Sequence, residues 1–120
     1  MDRNNDKPSV LVVEDNIIVR DVLIMMIEDD FTPIPTGTVT EALDILADPS
    51  VPTAKVVLVD CLLPDGGPRL ILEEASRRKL PCVLISGDAG QAAAFGPQYR
   101  FLMKPFSRAM LYSALTDALA

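Results

Sequence analysis

The feature that most constrains the fold is a series of short apolar runs, each followed by a polar residue and then by a stretch with helical spacing. Continuous apolar runs of this kind are typical of strands buried on both faces, and they occupy residues 10–13, 56–59 and 82–85. Two further strands are predicted at residues 31–35, where two prolines favour a sheet edge, and at residues 100–103. Five strands alternating with helices predict an α/β fold with one parallel sheet and helices on both faces.

Helices are predicted between these strands. The spacing of Thr38 and Glu41 is that of a capping box, and Ser107 can cap a last helix. A further helix is predicted over residues 69–79, whereas the stretch between the fourth and fifth strands has room for a short helix only. The first helix, over residues 16–29, carries apolar residues on more than one stripe, so it is either deeply buried or offers a surface to a partner.

Composition limits the classes of function. The chain has 120 residues, which fits one domain, and a formal net charge of −6, which argues against nucleic acid and anionic membranes as partners. It has no histidine, so it lacks a histidine-dependent catalytic pair and cannot itself carry a phosphohistidine. The two cysteines, Cys61 and Cys82, have no zinc-binding spacing and are interpreted as apolar filler.

The sequence also predicts the cellular location of the protein and the boundaries of its domain. The chain starts without the apolar core of a signal peptide, and its longest apolar run is too short to span a membrane. We therefore expect a cytoplasmic protein with no membrane insertion. Residues 1–9 are polar and are predicted to be a disordered tail, followed by one domain over residues 10–120.

Polar side chains follow four of the predicted strands. Glu14 and Asp15 follow the first, Asp60 the third, Ser86 the fourth and Lys104 the fifth. The carboxyl ends of parallel strands meet at one sheet edge, so these side chains are expected to converge. Each pair of carboxylates about 4 Å apart costs roughly 4 kcal/mol, which Lys104 and a divalent cation would offset. Oxygen ligands favour Mg²⁺, and the whole set would suit a phosphoryl group.

These residues belong to segments that resemble the response-regulator receiver domains of two-component signalling. The similar segments are VLVVEDN, VVLVDCLLPDGG, LISGD and FLMKPF, which cover residues 10–16, 56–67, 84–88 and 101–106. Each motif alone has little specificity, but all four in order at strand ends are specific. The resemblance extends over residues 10–120 and implies a flavodoxin-like, doubly wound fold with strand order 2-1-3-4-5.

The resemblance implies a role for each acidic residue. Asp60 would accept a phosphoryl group from the phosphohistidine of a histidine kinase or a histidine phosphotransfer protein. Asp15, Asp60 and the backbone carbonyl of Leu62 would bind Mg²⁺ directly, and Glu14 would act mainly through metal-bound water. The domain would be a signalling module that catalyses phosphoryl transfer to its own Asp60 and hydrolysis from it, rather than an enzyme with an external substrate.

The resemblance also implies a switch. Ser86 would move to meet the phosphoryl oxygen, Phe101 would turn inward with it, and Lys104 would pair first with the carboxylate and then with the phosphoryl group. The peptide bond between Lys104 and Pro105 is usually cis in this family. Leu62 occupies a position that influences hydrolysis, and because its side chain cannot hydrogen-bond to water, a long-lived phosphoryl state is expected.

The sequence departs from the family in its fourth helix. The stretch between Ser86 and Lys104 is short, so this helix should be truncated or missing. That helix forms part of the family's usual dimer face, which leaves the oligomeric state open. The kinase, the downstream protein target and the sign of the output also stay open.

The sequence leaves some alternative functions open and disfavours others. The start at Met1 favours a stand-alone regulator that acts by protein contact, while the receiver of a larger protein such as a hybrid kinase is the alternative. A phosphorylation-independent pseudo-receiver that acts as an interaction domain also stays open. A magnesium-dependent phosphatase is disfavoured because its nucleophile would follow the first strand in a D-x-D pattern. A nucleotide binder is disfavoured because no glycine-rich loop follows that strand.

Overall fold

The apolar runs form the strands of one parallel sheet in the structure, a computed structural model that describes residues 7–51 and 53–120. The strands are β1 (Ser9–Val13), β2 (Thr32–Thr36), β3 (Val56–Asp60), β4 (Cys82–Ser86) and β5 (Arg100–Met103). Their order in the sheet is β2-β1-β3-β4-β5, and all neighbouring pairs are parallel. The predicted fold class and strand order are therefore confirmed. The proline-containing strand β2 lies at an edge, as its missing amide donors require.

Five helices connect and follow these strands. They are α1 (Ile17–Ile27), α2 (Val39–Ala47), α3 (Arg69–Arg77), α4 (Ala89–Ala93) and α5 (Arg108–Leu119). Helix α4 has five residues, which confirms the predicted truncation. Helix α3 ends two residues before the predicted Lys79, because Lys79 has a left-handed backbone with φ of 59° and cannot continue the helix. Helix α1 likewise ends at Ile27 rather than at residue 29.

The two faces of the sheet have separate apolar cores. Side chains alternate along each strand, so Leu11 and Val13 belong to one core while Val10 and Val12 belong to the other. The first core packs against α2 and α3, and the second packs against α1 and α5. This covering on both faces explains why the central strands are apolar throughout.

The first backbone N–H groups of the helices find hydrogen-bond acceptors largely as the sequence predicts. The Glu41 N–H donates to Thr38 Oγ1 at 3.0 Å, so Thr38 is the N-cap of α2. The second half of the predicted capping box differs, because the Glu41 side chain accepts from the N–H of Gly37 at 2.7 Å rather than from that of Thr38. Ser107 caps α5 by accepting from the Met110 N–H at 3.1 Å.

Replacing Thr38 with alanine should therefore lower the free energy of unfolding. Loss of an N-cap side chain leaves a helical N–H without its acceptor and costs about 1 kcal/mol. Urea denaturation would measure the change, with Thr53→Ala, an exposed threonine outside the helices, as the matched control. Equal stabilities of the two variants would contradict this role for Thr38.

The structure describes the amino-terminal part of the chain from residue 7 onward. Ser9 is the first residue of β1, and the carbonyl oxygen of Pro8 accepts a hydrogen bond from the Thr32 N–H at 2.9 Å. The rest of the predicted tail, residues 1–6, lies outside the described residues. In the described part of the chain, none of the helices has the length and apolar character needed to cross a membrane.

Candidate functional site

The carboxyl ends of the strands bring the predicted side chains to one edge of the sheet. Glu14 directly follows β1, Asp60 ends β3, Ser86 ends β4 and Lys104 directly follows β5. An open cavity of about 480 Å³ lies at this edge. The last residue of β3, one residue of α1 and the segments that follow β1, β3, β4 and β5 line it: Glu14, Asp15, Asn16, Val19, Asp60, Leu62, Leu63, Pro64, Gly87 and Lys104.

Asp60 is held at both carboxylate oxygens. Its Oδ1 accepts from the Leu62 N–H at 2.8 Å, and its Oδ2 accepts from Lys104 Nζ at 2.9 Å. Lys104 is anchored in turn, because its backbone N–H donates to the carbonyl oxygen of Ser86 at 2.9 Å. Burial alone would lower the pKa of Lys104, but its hydrogen bond and charge interaction with Asp60 outweigh this and raise that pKa. Lys104 is therefore positively charged at neutral pH.

Glu14 is deeply buried among the residues that line the cavity, with 2% of its surface exposed. Its Oε2 accepts from the Asn16 N–H at 3.2 Å, while its Oε1 is buried without a hydrogen-bond partner among the described residues. Burial, followed by the contact with Asp60, raises the pKa of Glu14 from 4.5 to about 8. Glu14 therefore retains a proton more readily than an exposed glutamate, and its Oε1 lies 3.9 Å from Lys104 Nζ.

The donors at this edge suit a hard divalent cation. Glu14 has an unpartnered oxygen, Asp15 is exposed beside it, and Asp60 carries a carboxylate. Mg²⁺ prefers such oxygen donors and keeps several water ligands. Within residues 7–51 and 53–120, no three acidic, cysteine or histidine side chains are close enough to hold a metal by themselves. Main-chain oxygen and water would therefore supply part of the coordination.

Several solved structures are similar to this chain in fold. No protein-family model and no curated protein matches the chain. Among solved structures, a response regulator receiver protein of Sinorhizobium medicae is 22% identical, with a TM-score of 0.86 and 96% of each chain covered. The signal receiver domain of an HD domain-containing protein of Pseudomonas fluorescens is 26% identical, with a TM-score of 0.78 and 94% of each chain covered. The chemotaxis protein CheY4 of Vibrio cholerae is 20% identical, with a TM-score of 0.77, and the match covers 94% of this chain and 99% of that protein.

The chain has the fold of a response-regulator receiver domain. The resemblance inferred from four short motifs therefore holds for nearly the whole chain. Lys104 and Pro105 are joined by a cis peptide bond, as the resemblance implied.

Two predicted switch residues of the receiver fold lie apart from the acidic cavity. Ser86 ends β4, but its hydroxyl donates to the carbonyl of Asp88 at 2.8 Å and does not line the cavity. Phe101 is half-buried in β5 and packs against the core on the α2 and α3 face. The sequence thus predicted the positions of Ser86 and Phe101 along β4 and β5, whereas only the structure shows the direction of the Ser86 hydroxyl.

Helix α1 presents much of its apolar surface to solvent. Only Leu23 and Ile27 are buried, whereas Ile18 is 76% exposed and Met25 is 68% exposed. The interpretation of α1 as a deeply buried helix is therefore wrong, because its apolar residues extend beyond the one stripe that meets the sheet. The exposed part borders the acidic cavity through Val19. A partner surface on α1 stays a prediction.

Both cysteines are buried free thiols. Burial, together with the charge of Asp60, raises the pKa of Cys61 to about 11, and burial raises that of Cys82 to about 12. Both are therefore protonated at neutral pH and poorly suited to nucleophilic or redox chemistry. Their positions in the core agree with their interpretation as apolar filler.

Sequence reasoning missed the role of Asp65 in the loop between β3 and α3. Its Oδ1 accepts from the Val39 N–H at 2.9 Å and its Oδ2 from the Thr40 N–H at 3.1 Å. The Val39 hydrogen bond is the main cause that lowers the pKa of Asp65. These contacts fasten the loop that carries Leu62 to the start of α2. No local signal could have revealed them, because the partners are far apart in the sequence.

Proposed function

We propose that this chain is a phosphorylation-switched signalling module in which Asp60 accepts a phosphoryl group and the domain then changes its protein contacts. The donor is a phosphohistidine on a histidine kinase or a histidine phosphotransfer protein. The observation that carries the proposal is the placement of the Asp60 carboxylate between the Leu62 N–H and Lys104, at the carboxyl edge of a receiver fold. A downstream protein and a cytoplasmic location belong to the same proposal.

The reaction is a phosphoryl transfer between two nucleophiles. A carboxylate oxygen of Asp60 forms a bond to phosphorus while the phosphorus–nitrogen bond of the donor breaks, and the imidazole leaves with the bonding electron pair. The product is an acyl phosphate on Asp60. Lys104, which is 2.9 Å from Asp60 Oδ2, is placed to neutralise charge on the phosphoryl oxygens as they arrive. The receiver thereby catalyses its own modification.

The residues present also fit Mg²⁺. Asp15, Asp60 and the backbone carbonyl of Leu62 would hold it directly, and Glu14 would contribute through water. When bound, Mg²⁺ neutralises part of the charge on the carboxylates and on the phosphoryl oxygens. Glu14 supports this assignment because its buried Oε1 has no hydrogen-bond partner among the described residues. The Leu62 N–H and Lys104 hydrogen-bond to the Asp60 carboxylate and orient it for its attack on phosphorus.

The intact mass of the chain after incubation with acetyl phosphate tests this function. In the presence of Mg²⁺ we expect one added phosphoryl group, and in the presence of a chelator we expect none. Neutral hydroxylamine should remove the group, because it cleaves acyl phosphates and leaves phosphate esters of serine and threonine intact. An unchanged mass in Mg²⁺, together with failure to bind beryllofluoride, would instead favour a phosphorylation-independent pseudo-receiver.

Leu62 is expected to make the phosphoryl state long-lived. Its side chain is 66% exposed on the wall of the cavity and offers no hydrogen bond to an attacking water. Replacing Leu62 with asparagine should therefore speed hydrolysis, by about two- to tenfold on the scale of one hydrogen bond of ordinary net strength. The decay of the adduct, followed by mass after removal of acetyl phosphate, measures this. Leu70→Asn, at an exposed leucine of α3, is the matched control, and slower decay in Leu62→Asn would contradict the prediction.

A further inference from the structure

The hydroxyl group of Ser86 forms hydrogen bonds with residues at the start of α4. It donates to the carbonyl oxygen of Asp88 at 2.8 Å and to Gln91 Oε1 at 3.2 Å, and it accepts from the Asp88 N–H at 3.0 Å. Ser86 is 1% exposed and does not line the acidic cavity. One hydroxyl proton thus has two acceptors, and both of them lie outside that cavity.

The cap and the packing of helix α4 fix the backbone position of Gln91. Asp88 caps this helix, since its Oδ1 accepts from the Gly90 N–H at 2.8 Å and from the Gln91 N–H at 3.3 Å. Ala92 is buried beneath the helix, and the guanidinium of Arg69 lies 5.5 Å from the centre of the Phe95 ring just beyond it. Although α4 has only five residues, its first turn therefore holds Gln91 over Ser86.

We propose that Gln91 is a positioning residue that holds the Ser86 hydroxyl away from the phosphoryl site in the unphosphorylated chain. This inference rests on the proposed function, in which Ser86 turns to meet the phosphoryl oxygen. Before it can do so, its proton must leave Asp88 and Gln91. The Asp88 acceptor belongs to the backbone and cannot be removed by substitution, whereas the Gln91 acceptor can.

Removal of the Gln91 acceptor should make the turned state of Ser86 easier to reach. A ligand that needs the minor state binds more weakly in proportion to how rarely that state is populated. One hydrogen bond of ordinary net strength changes this population about two- to tenfold. Gln91→Ala should therefore bind a phosphoryl mimic more tightly by this factor. Alanine also has a high helix propensity, so α4 should tolerate the change.

The experiment is a calorimetric titration of the whole chain with beryllofluoride in saturating Mg²⁺. We expect Gln91→Ala to lower the Kd about two- to tenfold relative to the wild type. Gln98→Ala, the same chemical change at an exposed glutamine in the following loop, should leave the Kd unchanged. In a Ser86→Ala background, Gln91→Ala should have no effect, because the hydroxyl through which it acts is absent.

Each remaining outcome counts against the proposal in a distinguishable way. Equal affinity of the wild type and Gln91→Ala would overturn the role of Gln91 and leave the proposed function intact. The same gain in the Ser86→Ala background would show that Gln91 acts by another route and would also overturn it. If the wild type neither binds beryllofluoride nor gains mass from acetyl phosphate, the proposed function itself fails, and this inference fails with it.

Discussion

Replacing Asp60 with asparagine is expected to abolish phosphoryl uptake from acetyl phosphate in the presence of Mg²⁺. The amide oxygen of asparagine is a far weaker nucleophile than a carboxylate, so no acyl phosphate can form at this position. The amide can still accept the hydrogen bond that the Leu62 N–H now donates to Asp60 Oδ1, so the fold should be retained. Intact mass would measure the uptake, and thermal unfolding would check the fold.

The matched control for this change is Asp44→Asn, at an exposed aspartate of α2. This variant should gain one phosphoryl group as the wild type does. Persistence of the adduct in Asp60→Asn would mean that another side chain carries the phosphoryl group, and the assignment of Asp60 would be wrong. Loss of the adduct in both variants would point to a general effect of the altered charge.

Replacing Glu14 with glutamine is expected to stabilise the chain at pH 8 in a chelator, by about 4 kcal/mol relative to the wild type. Glutamine keeps an oxygen that can accept from the Asn16 N–H, and its amide adds a donor that can face the carboxylate of Asp60. With glutamine at this position, the folded chain neither buries a negative charge nor has to retain a proton. Urea denaturation at several pH values would measure the difference between the two chains.

The direction of this pH dependence follows from the pKa of Glu14. Burial and the neighbouring Asp60 raise that pKa to about 8 in the folded chain, from 4.5 in the unfolded chain. Between these two values the folded state holds a proton that the unfolded state has released. The contribution of Glu14 is therefore fully present below pH 4.5 and is lost as the pH rises through about 8, at up to about 1.4 kcal/mol per pH unit.

Two comparisons separate this effect from other titrations. Glu73→Gln, at an exposed glutamate of α3, should change stability little and by the same amount at every pH. Saturating Mg²⁺ should flatten the dependence in the wild type, because a cation favours the ionised carboxylate. A difference between wild type and Glu14→Gln that does not grow from pH 5 to pH 8 in chelator would contradict a protonated Glu14.

Much of this architecture could be predicted because it depends on local pattern. The continuous apolar runs at residues 10–13 and 56–59 required strands covered on both faces, and the sheet has helices on both faces. The prolines of β2 required an edge, and the glycine-rich stretch before β5 allowed only a short α4. Errors in the bounds of the helices lay at helix ends, such as Lys79, where one backbone angle decides the boundary.

The sequence by itself determined which side chains stand at the carboxyl ends of the strands, because the alternation of strands and helices requires parallel strands, while the strand order was implied by the resemblance to receiver domains. Glu14, Asp60 and Lys104 therefore meet as expected. Only the tertiary structure decided that burial raises the pKa of Glu14, that the Ser86 hydroxyl points to Gln91, and that much of α1 remains exposed. Burial, hydrogen-bond direction and exposure depend on atoms that different elements bring together, and no local pattern records those distances.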